Sequence, residues 1–361
     1  MFGKFFGLKS KKKYLGVDVG TFFVKIVELG VKGKNFVLEN YGQLGVLYPE
    51  EKAFRIFEKE NLLLSDYDLA KAIRAILDET GIQTKEANFC IPDFSSFFST
   101  LSLPIMSKEE LPEAIKYEIR PYIPLPISAI TIDWVITEGQ VGKTPLKILT
   151  VAVPNVVINQ YKEIAKISKL NLKIVEPEVF GLARSLKFMF KGKVTALIDI
   201  GARSTTCSIL NREVLQISNS FNIGSSLLIE AVARTLNMDY NGAEKLLIAQ
   251  GLIQDNKVAA GFNPELYKII MPIINGMTEE IKKNIGAFVQ KEGKEVEKII
   301  LAGGMAFLPG LKEHFSKELN KEILIGNPFL NILHNSALKD ILREIGPSYA
   351  IAAGLAMKGL E

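Results

Sequence analysis

Two stretches of the chain alternate apolar and polar positions in the same way: LGVDVGTFFVKIVEL from Leu15 to Leu29, and ALIDIGARSTTCSIL from Ala196 to Leu210. Each opens as an apolar run, breaks at Asp-x-Gly and resumes alternation, the pattern of a strand, a tight turn and a second strand. A third apolar run ends in a glycine pair within IILAGGMAFLPG, Ile299 to Gly310. After the first hairpin the segment KNFVLENYGQL predicts another strand, and DYDLAKAIRAILDETG predicts a helix, with Leu69, Ala72, Ile73, Ile76 and Leu77 on one face and Gly81 at its end. Between about Ala87 and Pro154 the pattern changes. Strands NFCIPD, FFSTLSLP, ITIDWVIT and LKILTVAV surround a short helix opening at Ser107 and the proline-rich turn RPYIPLP, a compact α+β unit inserted into the first domain. The helix VVINQYKEIAKISKL and the strand LKIVEPEVF return to that domain, the second hairpin restarts the pattern from Lys193, and a short helix, SYAIAAGLAM, follows Pro347. The predicted division is a first domain at 1–86 and 155–192, an insertion at 87–154, a second domain at 193–345 with a helical part at about 219–297, and a C-terminal helix, 346–361, returning to the first domain. Two strand-rich halves opening on the same hairpin imply duplicated α/β domains with a cleft between them, and ligands in such architectures sit where strand ends converge.

Composition narrows the function classes. The 361 residues suffice for two or three domains, and 48% hydrophobic with 23% charged residues is ordinary for a globular protein. The formal charge of +4 comes from the amino end: five of the 44 basic residues fall in the first thirteen positions, where no acid occurs, leaving 39 against 40 acids elsewhere. A nucleic-acid-binding body would carry its basic residues as a stripe on the fold, so no nucleic acid is expected. Cys90 and Cys207 fall inside predicted strands and read as buried small apolar residues, which fits a reducing cytoplasm. With two histidines, His314 and His334, no zinc spacing is present. No apolar stretch reaches the length of a membrane span, and MFGKFFGLKSKKK lacks the apolar core and cleavage site of a signal peptide. Its interleaved phenylalanines and lysines read as a solvated tail whose contact with a membrane surface would be weak.

The paired hairpins carry the chemistry. Glycine at the turn lets backbone N–H groups close on a phosphate, and the carboxylate before it, Asp18 or Asp199, reaches a hydrated divalent cation. Lys25 stands seven residues after Asp18, where an ammonium meets a phosphate, and Ser204 and Thr205 offer hydroxyls in the second copy. GQVGKT at Gly139–Thr144 echoes a Walker A loop, but Thr137 stands where that loop needs its first glycine, so it reads as a hairpin turn.

On these phrases the chain resembles the actin-like ATPase superfamily, and within it the PilM family of type IV pilus assembly. The two hairpins look like the family's phosphate loops. IPDFSSFFSTLSLPIMSKEELPEAIKYEIRPYIPLP looks like the inserted subdomain shared with the division protein FtsA, and NGAEKLL, LAGGMAFLPGL, GNPF and AIAAGLAM complete the pattern nearly end to end. The resemblance implies duplicated actin-like, ribonuclease H-like domains binding ATP and magnesium. Carried over by position, phosphate contacts fall on Gly20, Thr21, Lys25, Gly201, Ser204 and Thr205, adenosine contacts on Gly224, Glu244, Lys245, Gly303, Gly304 and Met305, and magnesium on Asp18 and Asp199 through water. Glu176 in IVEPEVF stands where the related chaperone ATPase has a water-positioning carboxylate. Two departures point to at most slow hydrolysis: the second loop reads Asp-Ile-Gly-Ala-Arg where fast ATPases carry a run of glycines, and Gly224-Ser225 replaces a glycine pair.

The resemblance further implies a cytoplasmic scaffold at the inner face of the membrane. It would bind the N-terminal tail of a PilN-like bitopic membrane protein in a groove between the first domain and the insertion, with strands such as FFSTLSLP as the wall. Other inner-membrane platform proteins of the pilus would be further partners, and membrane association would come mainly through the partner. Three rival readings are weaker. An FtsA-like division filament protein should carry a C-terminal amphipathic membrane helix, a chaperone ATPase needs a substrate-binding region, and a sugar or acetate kinase needs an acceptor site.

Overall fold

The structure is a computed structural model describing residues 12–45, 55–58, 61–253 and 263–361, so the amino-terminal Phe/Lys segment lies outside the described residues. Among these residues the chain builds the same five-stranded sheet twice. In the first, β1 (Lys13–Val19), β2 (Phe23–Lys32) and β3 (Asn35–Gly45) run antiparallel in succession. A short hairpin, β4 (Arg55–Glu58) and β5 (Asn61–Leu64), and helix α1 (Asp66–Thr80) lead to β6 (Glu86–Ile91), which lies parallel to β1 on its other side. After the insertion, α3 (Asn155–Ile167) leads to β10 (Asn171–Pro177), parallel to β6 at the sheet edge, and then to α4 (Glu178–Leu186).

The insertion is a three-stranded sheet of β7 (Phe97–Leu103), β8 (Ile130–Glu138) and β9 (Leu146–Pro154), ordered β7-β9-β8, with α2 (Leu111–Glu118) packed on it. The strand NFCIPD, expected inside this unit, is β6 and belongs to the first sheet. Its alternate side chains Ala87, Phe89 and Ile91 are buried with α1 and α3, so it cannot leave that core. The GQVGKT segment is the turn joining β8 to β9.

The second sheet repeats the first with β11 (Val194–Ile200), β12 (Thr205–Asn211) and β13 (Val214–Phe221) antiparallel. Helices α5 (Ser225–Leu236), α6 (Tyr240–Gln250) and α7 (Pro264–Glu292) come next. The parallel strand β14 (Lys298–Gly303), helix α8 (Leu311–Leu319) and the parallel edge strand β15 (Glu322–Ile325) complete it.

The last helix, α9 (Lys339–Leu360), begins eight residues earlier than Pro347 and runs straight through it. A helical proline forfeits one backbone hydrogen bond, here to Arg343, and Ser348 Oγ donates to Ile345 O at 2.8 Å beside the gap. The return to the first sheet also starts before residue 346. Leu333 N–H donates to Phe36 O at 2.9 Å and Leu38 N–H to Leu333 O at 2.8 Å, so the chain already covers the β3 edge there.

Helix α9 meets β1 and α4 through backbone. A Cβ on Gly16 would lie 1.8 Å from Ala352 O, and one on Gly354 1.8 Å from Gly181 O, so only glycine permits these approaches. Asn88 Nδ2 adds a hydrogen bond to Leu355 O at 2.8 Å. Between the sheets, Val179, Leu182, Leu197, Ile300, Ala350 and Leu355 share one buried cluster, so α4 and α9 pin the two halves at the floor of the cleft.

Candidate functional site

The two Asp-x-Gly turns have the same local bonding. Gly20 N–H donates to Phe23 O at 2.8 Å and Gly201 N–H donates to Ser204 O at 2.9 Å. In register, Asp18 stands opposite Lys25 and Asp199 opposite Thr206. Both turns open into one cleft of about 460 Å³. Gly303 and Gly304, at the end of β14, form the wall beyond Asp199. Gly303 adopts φ +86°, and a Cβ there would fall 2.7 Å from Asp199 Oδ1, so glycine is required for β14 to end this close to the carboxylate.

The lining combines the carboxylates Asp18, Asp199, Glu178 and the half-buried Glu244 with the cations Lys25 and Arg203 and the apolar side chains Ile248, Met305, Phe307 and Leu308, while Ile345 and Ile351 of α9 line the cleft as well. Burial pushes the Glu244 carboxyl above its ordinary range. Asp18 and Glu178 are 5% and 7% exposed. Oxygens of these two carboxylates and the Cys90 sulfur lie within 4.8 Å of one another, and the Cys90 thiol donates to Asp18 Oδ1 at 3.3 Å. Buried carboxylates grouped this tightly favour a cation, and oxygen donors suit a hard divalent ion such as magnesium.

The structure brings most of the sequence-predicted residues to the lining: Asp18, Gly20, Thr21, Lys25, Asp199, Gly201, Ser204, Glu244, Gly303, Gly304 and Met305. Four lie elsewhere. Thr205 is fully buried and its hydroxyl donates to Ile223 O at 2.6 Å, so the neighbouring Thr206 lines the cleft instead. Gly224 packs beneath the second turn, where a Cβ would meet Ala202 O at 2.5 Å, and Ser225 lines the cleft beside it. Lys245 is exposed, outside the lining. Glu176 is engaged by Arg184, whose Nη2 donates to Oε2 at 2.9 Å while its Nη1 also donates to Gly354 O at 3.0 Å. The pair clamps α9, and the carboxylate that faces the cleft is Glu178.

Glu178 escapes a sequence reading because Pro177 ends β10 and Glu178 opens α4, so strand alternation no longer says which way the side chain points. The available signal was its place at the carboxyl end of a parallel strand. Its carboxylate and the start of α4 are held by Asp93: Asp93 N–H donates to Glu178 Oε2 at 3.3 Å, and Val179 N–H to Asp93 Oδ1 at 3.1 Å. Arg203 and Phe22, at matching positions of the two turns, were also missed. The guanidinium sits 5.7 Å from the ring centre.

A family model described as "Type IV pilus assembly protein PilM" matches residues 16–360. A solved structure described as a PilM–PilN type IV pilus biogenesis complex is 22% identical, superposes with a TM-score of 0.83, and aligns over 96% of this chain and 98% of that one. MreB5 of Spiroplasma citri bound to AMPPNP is 10% identical with a TM-score of 0.55, over 96% and 95% of the two chains. Cell division protein FtsA of Enterococcus faecalis is 20% identical over 91% of this chain and 80% of its own length. The fold is that of the actin-like ATPases, as the resemblance implied. No helix among the described residues is long and apolar enough to cross a membrane.

Proposed function

The chain belongs to the type IV pilus assembly protein PilM family, and from that premise we propose that it is an ATP-binding cytoplasmic scaffold holding the N-terminal tail of a PilN-like membrane protein. One observation carries the nucleotide half of this reading: two equivalent phosphate-type turns face one cleft whose lining combines carboxylates and cations with apolar side chains. The backbone N–H groups of the turns and Lys25 suit phosphate oxygens. Asp18, Asp199 and Glu178 would hold magnesium, which neutralises phosphate charge when bound. Met305, Gly304 and Glu244 suit a nucleoside. Hydrolysis is expected to be slow or absent. Glu178 is now the candidate for positioning water, since Arg184 holds Glu176 away from the cleft lining.

The peptide half is supported by a second groove of about 700 Å³ along the edge of β10 that has no partner strand among the described residues. Its lining includes the apolar Ile158, Leu170, Leu172 and Val175, Thr131 of β8, and the lysines Lys162, Lys166, Lys169 and Lys173. An exposed strand edge with apolar pockets takes an extended, partly apolar peptide by strand addition. The wall expected from β7 is not at this groove, since β7 lies beside β13 of the second half. The Asp93–Glu178 exchange connects the nucleotide cleft to the start of the insertion, which gives bound nucleotide a route to the partner. The inner face of the membrane would be reached through that partner. Calorimetric titration with ATP, with and without magnesium, and with a soluble PilN-like tail peptide tests both halves. Magnesium-dependent ATP binding and peptide binding that is lost when Leu172 or Val175 on β10 becomes proline are expected. A peptide that binds equally well after those changes removes this groove.

A further inference from the structure

The second hairpin lacks the lysine of the first. Opposite Asp199 stands Thr206, whose hydroxyl is 2.8 Å from Ser220 Oγ, where the first hairpin has Lys25 opposite Asp18. The second hairpin carries its positive charge at the tip instead, as Arg203, the counterpart of Phe22. We propose that Arg203 is the contact for the terminal phosphate of a nucleoside triphosphate, and that its stacking on Phe22 is the position it holds when that phosphate is absent. The proposal rests on the reading of the cleft as a nucleotide site.

Two observations support it. The backbone around Arg203 is immobilised, because Ser225 N–H donates to Gly201 O at 3.0 Å, Ser226 N–H donates to Ala202 O at 2.8 Å, and Gly224 packs against both Ala202 and Arg203. The side chain is not: it is exposed at the mouth of the cleft, and among the described residues its guanidinium has no carboxylate partner. An arginine stacked on one ring at an exposed site is weakly held, whereas charge-assisted bonds from its planar donor edge to two phosphoryl oxygens are among the strongest available to a side chain. Exchange from ring to phosphate is therefore favourable. The two turns supply the backbone N–H groups and Lys25 that suit phosphate oxygens, so Arg203 at the tip of the second turn serves the phosphate chain. Loss of the terminal phosphate returns Arg203 to Phe22, and the contact between the two halves changes with the nucleotide state.

The test compares ATP with ADP, each with magnesium, by calorimetry on the full chain and on Arg203→Ala, Arg203→Lys, Phe22→Leu and Asp18→Asn. Arg203→Ala should weaken ATP by about tenfold or more, the worth of a charge-assisted contact, and ADP by no more than about threefold. Arg203→Lys should recover only part of the ATP affinity, because an ammonium cannot reproduce two parallel bonds. Phe22→Leu should leave ATP binding unchanged or tighter, since it removes the competing stack. Equal loss for ATP and ADP, or no loss for either, overturns the assignment. If Asp18→Asn weakens ATP while Arg203→Ala does not, the Arg203 role alone fails. If the wild type binds neither nucleotide, the nucleotide reading fails and takes the role of Arg203 with it. Thermal unfolding of Arg203→Ala at the wild-type temperature excludes misfolding as the cause.

Discussion

The two halves share strand order, strand direction and turn hydrogen bonds, yet almost everything attached to those frames differs. Among the described residues, the first half has one short hairpin and one helix between its third strand and first parallel strand, whereas the second has α5, α6 and α7. Between the two parallel strands the first half holds the insertion and α3, the second only α8. The shared frame is what two strand–turn–strand units need to face one ligand. The attachments set the halves apart, because α5 and α6 of the second contribute Ser225, Glu244 and Ile248 to the cleft while Thr131 of the insertion borders the β10 groove. Equivalent positions can then be asked whether they are interchangeable.

The position where exchange should do most damage is Gly16, whose counterpart in the second sheet is the fully buried Leu197. Leu197 fills the cluster between the halves. Gly16 lies under the α9 backbone, where a single added carbon would sit 1.8 Å from Ala352 O. Gly16→Leu cannot be relieved by a side-chain rotation and should abolish cooperative folding, beyond the roughly 1–3 kcal/mol of ordinary overpacking. Leu197→Ala, a cavity, should cost about 2–5 kcal/mol in chemical denaturation and leave a folded protein. A folded Gly16→Leu variant would show that α9 does not hold the first sheet in the way described.

Next in size is the pair of ligand-facing carboxylates. Asp18→Asn and Asp199→Asn should each weaken magnesium–ATP by about 1–3 kcal/mol, with Lys25→Thr, which copies the second hairpin into the first, costing a similar amount. Thr206→Ala should cost much less, since its hydroxyl already bonds Ser220. If Thr206→Ala and Lys25→Thr prove equally damaging by calorimetry, the hairpins share the phosphate symmetrically and the charge asymmetry has no functional meaning.

Legibility in the sequence followed the same division between frame and attachment. Hairpins, the glycine pair and the order of the major elements are written locally, as alternation and as Asp-x-Gly, and so were readable. Assignments that depend on a neighbour distant in sequence were not. Cys90 reads as an inert apolar residue until folding sets it against Asp18. Thr205 and Thr206 look equivalent until the register shows which one faces the core. The break between β6 and the insertion was misplaced because NFCIPD and FFSTLSLP are both strands, and only packing under α1 and α3 assigns the former to the first sheet. Glu176 and Glu178 differ by one turn of direction at a strand–helix junction, which no pattern records.

That junction supplies a further test. Glu176→Gln breaks a paired, largely buried Arg184 contact and should lower stability by roughly 1–3 kcal/mol while leaving ATP affinity near wild type. Glu178→Gln should do the reverse, weakening magnesium-dependent binding with a smaller change in unfolding. Reversal of these two patterns would return the site carboxylate to Glu176.

The smallest expected effect concerns Glu244, on the helix-rich side that the first half lacks. Burial raises its carboxyl pKa above the ordinary value, so the folded protein favours the protonated form. Its ionisation therefore costs stability, fully above the raised pKa and not at all below the unfolded value of 4.5. Glu244→Gln removes the ionisation while keeping shape, so the nucleotide-free variant should unfold at a higher temperature than wild type at pH 8. The advantage should shrink as the pH is lowered through the raised pKa, and below about pH 4 the two proteins should coincide. Added ATP should narrow the difference at pH 8 as well, if the nucleoside gives the carboxyl a partner. A stabilisation that persists unchanged at low pH would mean that the gain comes from the amide's own hydrogen bonds, and that Glu244 feels no desolvation in the empty cleft.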